Sequence, residues 1–294
     1  MKNMKIKISA LLIFSFLIMS FSVMAQDQDP LEIIKTVEKT NRESFNSSMM
    51  KIKISTFRYR VDKGVTRSTE TPRISVIETI LKKYGNNNGD SRTVSIVLEP
   101  IKDKGISMLT FEYQDVNKDN DVWLYLSALG KVKRLVSSED GDGSFFGSEF
   151  SVEDMTIRKT EDYTYNFIQE DIYDGRPVWV IESIPTRTKA SKSKYGKIVS
   201  WIDKERYIVL KENLYDKNLK LFKQQTRSSI EQVDKVWVAR QTVMNNLNSR
   251  RMTDLRVIST AYNVEIPDEF LTQRTLTDFS FRERNLTRLR TDLK

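Results

Sequence analysis

The chain has 294 residues, 48 of them basic and 40 acidic, and contains neither cysteine nor histidine. Disulfides, thiolate and imidazole metal sites, cysteine nucleophiles and Ser-His-Asp hydrolysis are therefore excluded. The basic excess is spread along the sequence rather than gathered into a stripe, which argues against a nucleic-acid partner.

Lys2, Lys5 and Lys7 precede an apolar run from Ile8 to Val23, broken only by serines. Val23-Met24-Ala25 then places small residues at −3 and −1 of a cut before Gln26. A charged start, an apolar middle and a small-residue exit predict a cleavable signal peptide over 1–25. The run is short against the roughly 20 residues of a bilayer span, and an acidic Gln26-Asp27-Gln28-Asp29 follows it. With no cysteine after the cut, a lipid anchor by that route is excluded. The expected location is the periplasm.

Asp29-Pro30-Leu31-Glu32 carries an N-cap acid, a proline at N1 and an acid at N3, so a helix is predicted over about 30–42. Leu31, Ile34 and Val37 recur there at helical spacing. From Met50 the period becomes two. Strand-like segments follow at about 74–84, 92–99, 106–114, 122–127, 131–137, 163–170, 177–184, 196–203, 206–214, 219–227, 236–245 and 252–262. Turn clusters such as Asn117-Lys118-Asp119-Asn120-Asp121 and Asp174-Gly175-Arg176 separate them. Short loops do not permit parallel crossovers. The fold class expected is mainly β with a few short helices, its strands in an antiparallel meander. Ile266-Pro267-Asp268-Glu269-Phe270-Leu271 predicts a helical turn. In the basic tail, 282–294, Leu286, Leu289 and Leu293 recur at helical spacing. That pattern is open to two readings: a leucine face packed on the domain, or a basic contact with lipid or a partner. The expected organisation is a signal at 1–25, one β domain over 26–281 and a tail or helix over 282–294.

The chemistry available is narrow. No Walker or dinucleotide glycine motif occurs. Acid clusters lie at 115–121 and at Glu139-Asp140-Gly141-Asp142, but neither has Gly at the sixth and Glu at the twelfth place of a calcium loop. Nothing singles out a pair of catalytic carboxylates. No cofactor or metal is expected, and no catalytic residue is assigned.

The most informative stretch is 123–154. Trp123-Leu124-Tyr125-Leu126 is apolar at every position, so both faces of that strand are covered or one lines something oily. Phe145, Phe146 and Phe150 fall within six residues of a Gly/Ser-rich loop. Burying each gains about 1.5–3 kcal/mol, so they plug a core, line a pocket or cover one as a lid. Candidate cavity residues are Met108, Phe111, Trp123, Tyr125, Phe145, Phe146, Phe150, Trp179 and Trp201. Alternation does not say which strand face turns inward.

Gly105 to Phe111, Asp121-Val122-Trp123-Leu124-Tyr125-Leu126-Ser127-Ala128-Leu129-Gly130-Lys131-Val132-Lys133-Arg134 and Phe145-Phe146-Gly147-Ser148-Glu149-Phe150-Ser151-Val152-Glu153-Asp154 resemble the outer-membrane lipoprotein-sorting protein family. Ser127 stands where that family usually has Pro, and Glu149 where it has Asp. The resemblance implies a LolA/LolB-like fold: a curved, incomplete antiparallel barrel with helices on its concave side and an apolar cavity for acyl chains. It implies a periplasmic carrier of lipid, lipoprotein or other apolar cargo, and no enzyme. The alternative is a non-enzymatic accessory protein docking on an envelope lipid transporter or on the membrane surface.

Overall fold

The computed structural model describes residues 29–135 and 143–293. The expected signal peptide and the acid cluster 139–142 lie outside them. The chain opens with helix α1 (Pro30–Glu43). The Asp29 side chain accepts a hydrogen bond from Leu31 N at 2.9 Å and Pro30 occupies the first turn, as the cap chemistry requires. At the other end Lys83 Nζ donates to the carbonyls of Asn41, Arg42 and Phe45 at 2.7–3.0 Å. It thereby satisfies acceptors that a helix C-terminus leaves open.

Fourteen strands among the described residues form a single antiparallel sheet. They are β1 (Ser47–Asp62), β2 (Val65–Ser68), β3 (Arg73–Tyr84), β4 (Asp90–Glu99), β5 (Ser107–Glu112), β6 (Asp121–Leu126), β7 (Lys131–Leu135), β8 (Tyr163–Tyr173), β9 (Arg176–Pro185), β10 (Lys197–Asp203), β11 (Val209–Tyr215), β12 (Leu221–Val233), β13 (Val236–Asn246) and β14 (Arg251–Tyr262). Their order is β7-β6-β5-β4-β3-β1-β14-β13-β12-β11-β10-β9-β8, with β2 paired to the end of β1. Two meanders are thus joined through the long β1–β14 ladder, which runs from Ser48↔Tyr262 to Arg58↔Arg251.

The sheet curls. Met108 of β5 and Val122 of β6 share one packed cluster with Ile198 of β10 and Leu214 of β11. Eight inter-strand steps separate β5 from β10, about 38 Å in a flat sheet. The cluster therefore requires the sheet to bend over this face. β7 and β8 form no ladder with each other, so the curve does not close into a barrel. The expected incomplete antiparallel barrel is the observed fold.

Both faces of the β3–β6 half are covered. On the inner, concave face lie α1 and the 3-10 turns Phe145–Gly147, Glu153–Met155 and Thr160–Asp162. On the outer face Met49, Ile80, Val94, Ile96 and Leu109 pack against Phe270, Leu271 and two C-terminal helices, α3 (Gln273–Thr277) and α4 (Phe279–Leu289). A short helix α2 (Arg187–Lys192) bridges β9 and β10. Leu286 and Leu289 of the basic tail are fully buried in the outer cluster. Arg290 closes it, its Nε and Nη2 on the two carboxylate oxygens of buried Glu78 at 2.8 and 2.7 Å. The leucine face of the tail is thus packed on the sheet. In α1 the buried apolar positions are Ile33 and Val37, one residue off the sequence pattern at Ile34, because the helix rests on Trp179, Ile181 and Ile202.

Truncating Leu286 to Ala leaves a cavity between α4 and the sheet. The expected loss is about 2–5 kcal/mol in urea unfolding. Leu129→Ala, at a position 64% exposed, is expected to stay within about 0.5 kcal/mol.

Candidate functional site

The β7–β8 connection re-enters the inner face at Gly143 and is knotted there by its own polar groups. Phe145 N donates to Phe150 O at 2.8 Å and Val152 N to Gly143 O at 3.0 Å. Ser148 Oγ donates to Phe145 O at 2.7 Å. The turn needs Phe146 at φ +48° and Gly147 at φ +77°, the left-handed region that glycine enters without strain. A Cβ on Gly147 would lie 2.1 Å from Arg73 Nη1, so this position also admits the Arg73 side chain.

The rest of the motif ties the knot to the far half of the sheet. Glu149 N donates to Thr253 Oγ1 at 2.8 Å, and Lys223 Nζ donates to Glu149 O at 2.7 Å. Asn246 Nδ2 donates to Glu149 Oε2 at 2.7 Å. Ser151 N and the Tyr195 hydroxyl both donate to the Asp154 carboxylate, at 2.8 and 2.5 Å. Burial and that carboxylate hold the Tyr195 phenol well above its ordinary pKa, so it stays a donor. Ser148, Glu149, Ser151 and Asp154 therefore each have a mechanical role. Phe145 and Phe150 become fixed plugs in the interior.

Between this knot and strands β3–β7 a cavity of about 560 Å³ remains. Its walls are Val97, Ile106, Met108, Leu124, Leu126, Leu135, Phe146 and Val152, and Arg73, Ser75, Asp103 and Lys133 supply its polar atoms. Arg73 Nη2 and Asp103 Oδ2 pair across it at 3.0 Å. The volume lies within the range of small-molecule sites. Leu135 and Val152 separate it from a second hollow of about 140 Å³, whose rim carries Lys118, Lys159, Lys189 and Lys192 beside Asp119, Glu153 and Asp162.

Deeper inside, the curl is filled. Arg158 pairs with buried Glu212, which also accepts from Ser200 Oγ and Gln225 Nε2, each at 3.2 Å. Burial pushes the Glu212 carboxyl upward, but Arg158 and Arg227 outweigh it and hold the group below its ordinary range. A hydrocarbon placed there would strip partners from buried charge, at several kcal/mol. Among the described residues, the roomier of the two inner-face hollows is the one next to Arg73.

The nine sequence candidates separate by strand face. Met108 and Phe146 line the cavity; Phe145 and Phe150 are packed behind it. Phe111, Trp123 and Tyr125 turn outward, Phe111 meeting Trp123 edge-on at 5.0 Å under the C-terminal helices. Trp179 packs on α1 and Tyr207. Trp201 lies on the outer side of β10, its Nε1 donating to Asp171 and its ring under Lys211 Nζ at 4.3 Å. Of the walls not named from sequence, Leu124 and Leu126 are the alternate residues of the strand that carries Trp123 and Tyr125, while Val97, Ile106, Leu135 and Val152 come from segments where no residue on that face, or only Met108, was named. β6 is thus oily on both faces for two separate reasons.

A family model described as "uncharacterized protein" matches residues 89–278, well over half of the chain. A solved domain named as an outer-membrane lipoprotein-sorting protein, from Vibrio parahaemolyticus, is 26% identical. The alignment covers 84% of this chain and 98% of that one, with a TM-score of 0.72. The chain belongs to the family of that model, and its fold is the LolA-like fold of the lipoprotein-sorting domain. A DUF1329 family protein from Desulfovibrio piger, 22% identical over 85% and 100% of the two chains, shares the fold with a TM-score of 0.75. So does a LolA superfamily protein from Nitrosomonas europaea, 14% identical over 83% and 98%, with a TM-score of 0.60. No curated protein matches the chain.

At the opposite end of the inner face, beneath α1, burial pushes the Glu112 carboxyl up to about 7 from an ordinary 4.5. Hydrogen bonds, including one from Ser91 Oγ at 3.3 Å, and the nearby Arg42 offset this only in part. A folded pKa above the unfolded one gives stability that is complete below pH 4.5 and lost as pH rises through 7. Thermal melts of Glu112→Gln should match the parent near pH 4.5 and exceed it at pH 8, by about 1–2 kcal/mol. A parent melt that does not change between these pH values refutes the assignment.

Proposed function

We propose that this LolA-like protein is a carrier or binding protein of the bacterial envelope, and that the Arg73-side cavity holds an acyl chain of a lipid, a lipoprotein or another apolar cargo. The observation that carries this reading is the cavity itself, a hollow of about 560 Å³ walled by aliphatic side chains of β4, β5, β6 and β7 and by Phe146. A space of that kind costs the fold dispersion contacts unless something occupies it. Burying about ten methylenes at about 0.8 kcal/mol each yields about 8 kcal/mol, micromolar binding before immobilisation costs. No reacting group is needed for such a task, so the reading is non-enzymatic. The Vibrio relative's name, a lipoprotein-sorting protein, supports both the cargo class and a periplasmic or other envelope location.

A second reading, an accessory protein docking on an envelope transporter, draws on the unpaired β8 edge, where Phe167, Ile168 and Ile172 are exposed. The two readings differ in what purified protein contains.

Organic extraction and mass spectrometry of protein purified without detergent should release lipid or fatty acid. Leu124→Trp, which fills the cavity from its β6 wall, should abolish uptake of a fluorescent fatty acid while leaving the melting temperature within a few degrees of the parent. Protein that stays empty through several preparations and takes up no fatty acid removes the carrier reading.

A further inference from the structure

The β1–β3 pairing ends at Thr56 and the β1–β14 pairing at Arg58; beyond them strand β1 pairs with β2 in a two-stranded ribbon, from Tyr59↔Ser68 to Asp62↔Val65. Residues 60–71 are all exposed. The ribbon is nevertheless fixed in shape. Its two-residue turn is Lys63-Gly64, at φ +49° and +78°, the primed geometry that matches strand twist.

The charge on this ribbon is unusual. The register sets Arg60 directly opposite Arg67, and one step further in sets Arg58 directly opposite Arg251 of β14. Like charges facing across a ladder destabilise it, yet the register repeats the arrangement twice in succession. Arg251 reaches Glu149 at 3.3 Å. Among the described residues Arg58, Arg60 and Arg67 form no ion pair within 4.0 Å. Residues two apart share a strand face, so Arg58 and Arg60 continue the row that inside the molecule is Ile52, Ile54 and Thr56. Thr56 pairs with Arg73, the arginine at the cavity. The inner face therefore runs from aliphatic to cationic as it reaches the cavity's end of the molecule, and the ribbon projects beyond it. Val61 and Val65, 64% and 53% exposed, lie on either side of the turn and on opposite faces of the ribbon, Val65 opposite Asp62 on the face of Arg60 and Arg67; over residues 58–70 Arg58, Arg60, Lys63 and Arg67 outnumber Asp62 and Glu70.

We infer that this ribbon is a docking surface for an anionic phospholipid bilayer. Phosphate head groups relieve the opposed arginines, and the two valines enter the interfacial layer beneath them. An acidic protein surface matches the arginines but gives the valines nothing to enter. The lipid surface satisfies both, and it brings the cavity's end of the molecule against the membrane. The docking role rests on the ribbon's own charge and exposure; only its purpose rests on the carrier reading.

The test is co-flotation of the full mature chain with phosphatidylcholine vesicles, with and without phosphatidylglycerol. The parent should float with the anionic vesicles at low salt, not with neutral ones, and release as salt is raised. Each surface cation multiplies such partitioning about fivefold, so Arg60→Gln with Arg67→Gln should lower it about 25-fold. Val61→Ser with Val65→Ser should lower it less. These positions are exposed, so both doubles should melt with the parent or, for the arginine pair, slightly above it. Fatty-acid uptake should be unchanged in both. Equal flotation with neutral vesicles overturns the inference, as does full binding by the arginine double, or polyglutamate binding as tight as that of the anionic vesicles. Loss of uptake in the parent with vesicle binding intact removes the carrier reading and leaves the docking surface standing.

Discussion

A sheet that is apolar on both faces must be covered twice, and most of this molecule answers that requirement. β6 states it most plainly. Trp123 and Tyr125 need one cover, Leu124 and Leu126 another. The outer cover comes from the chain's own end, α3 and α4, with Leu286 and Leu289 as its floor and the Arg290–Glu78 pair as its clasp. The inner cover comes from curling the sheet and sending the β7–β8 connection back beneath it.

The two covers differ in completeness. The outer one buries Leu276, Phe281, Leu286 and Leu289 against the sheet and leaves a hollow of about 300 Å³ beside Tyr125 and Phe279. The inner one is held by a knot whose hydrogen bonds run to the far half of the sheet, while Phe145, Phe146 and Phe150 pack with Val97, Met108 and Val122 of the near half. Glu149 and Asp154 are tied to β12, β13, β14 and Tyr195, on the far side of the curl. The plug is thus anchored to one half of the sheet and faces the other. The gap between them is the cavity, and Gly147 gives Arg73 its place at the edge of that gap. Elsewhere on the inner face the Arg158–Glu212–Gln225 cluster fills the curl.

Much of the architecture was legible in the sequence because period-two alternation and turn chemistry are local. The strand segments from 74 to 262 are all found, with ends moved by a few residues, and Asp29-Pro30 starts α1 as cap chemistry dictates. The β1–β2 ribbon was not read, because residues 57–68 carry charge on positions that a buried strand would leave apolar. The face of each strand was not legible either. Trp123 and Leu124 are equally apolar, and only the curl, a non-local fact, decides which one looks inward. That is why Met108 and Phe146 among the candidates reach the cavity while Phe111, Trp123 and Tyr125 lie under the C-terminal helices. The tail showed a leucine stripe and an arginine excess together; the geometry uses the leucines against the sheet and Arg290 against Glu78.

The unpaired seam between β7 and β8 has a mechanical consequence. No backbone ladder crosses it, so the two ends of the sheet can part by unbending, with every strand pairing intact. β7 contributes Lys133 and Leu135 to the cavity wall, so such a parting widens the hollow directly. The molecule is built like a sprung clip, in which girth can change at the cost of side-chain contacts alone.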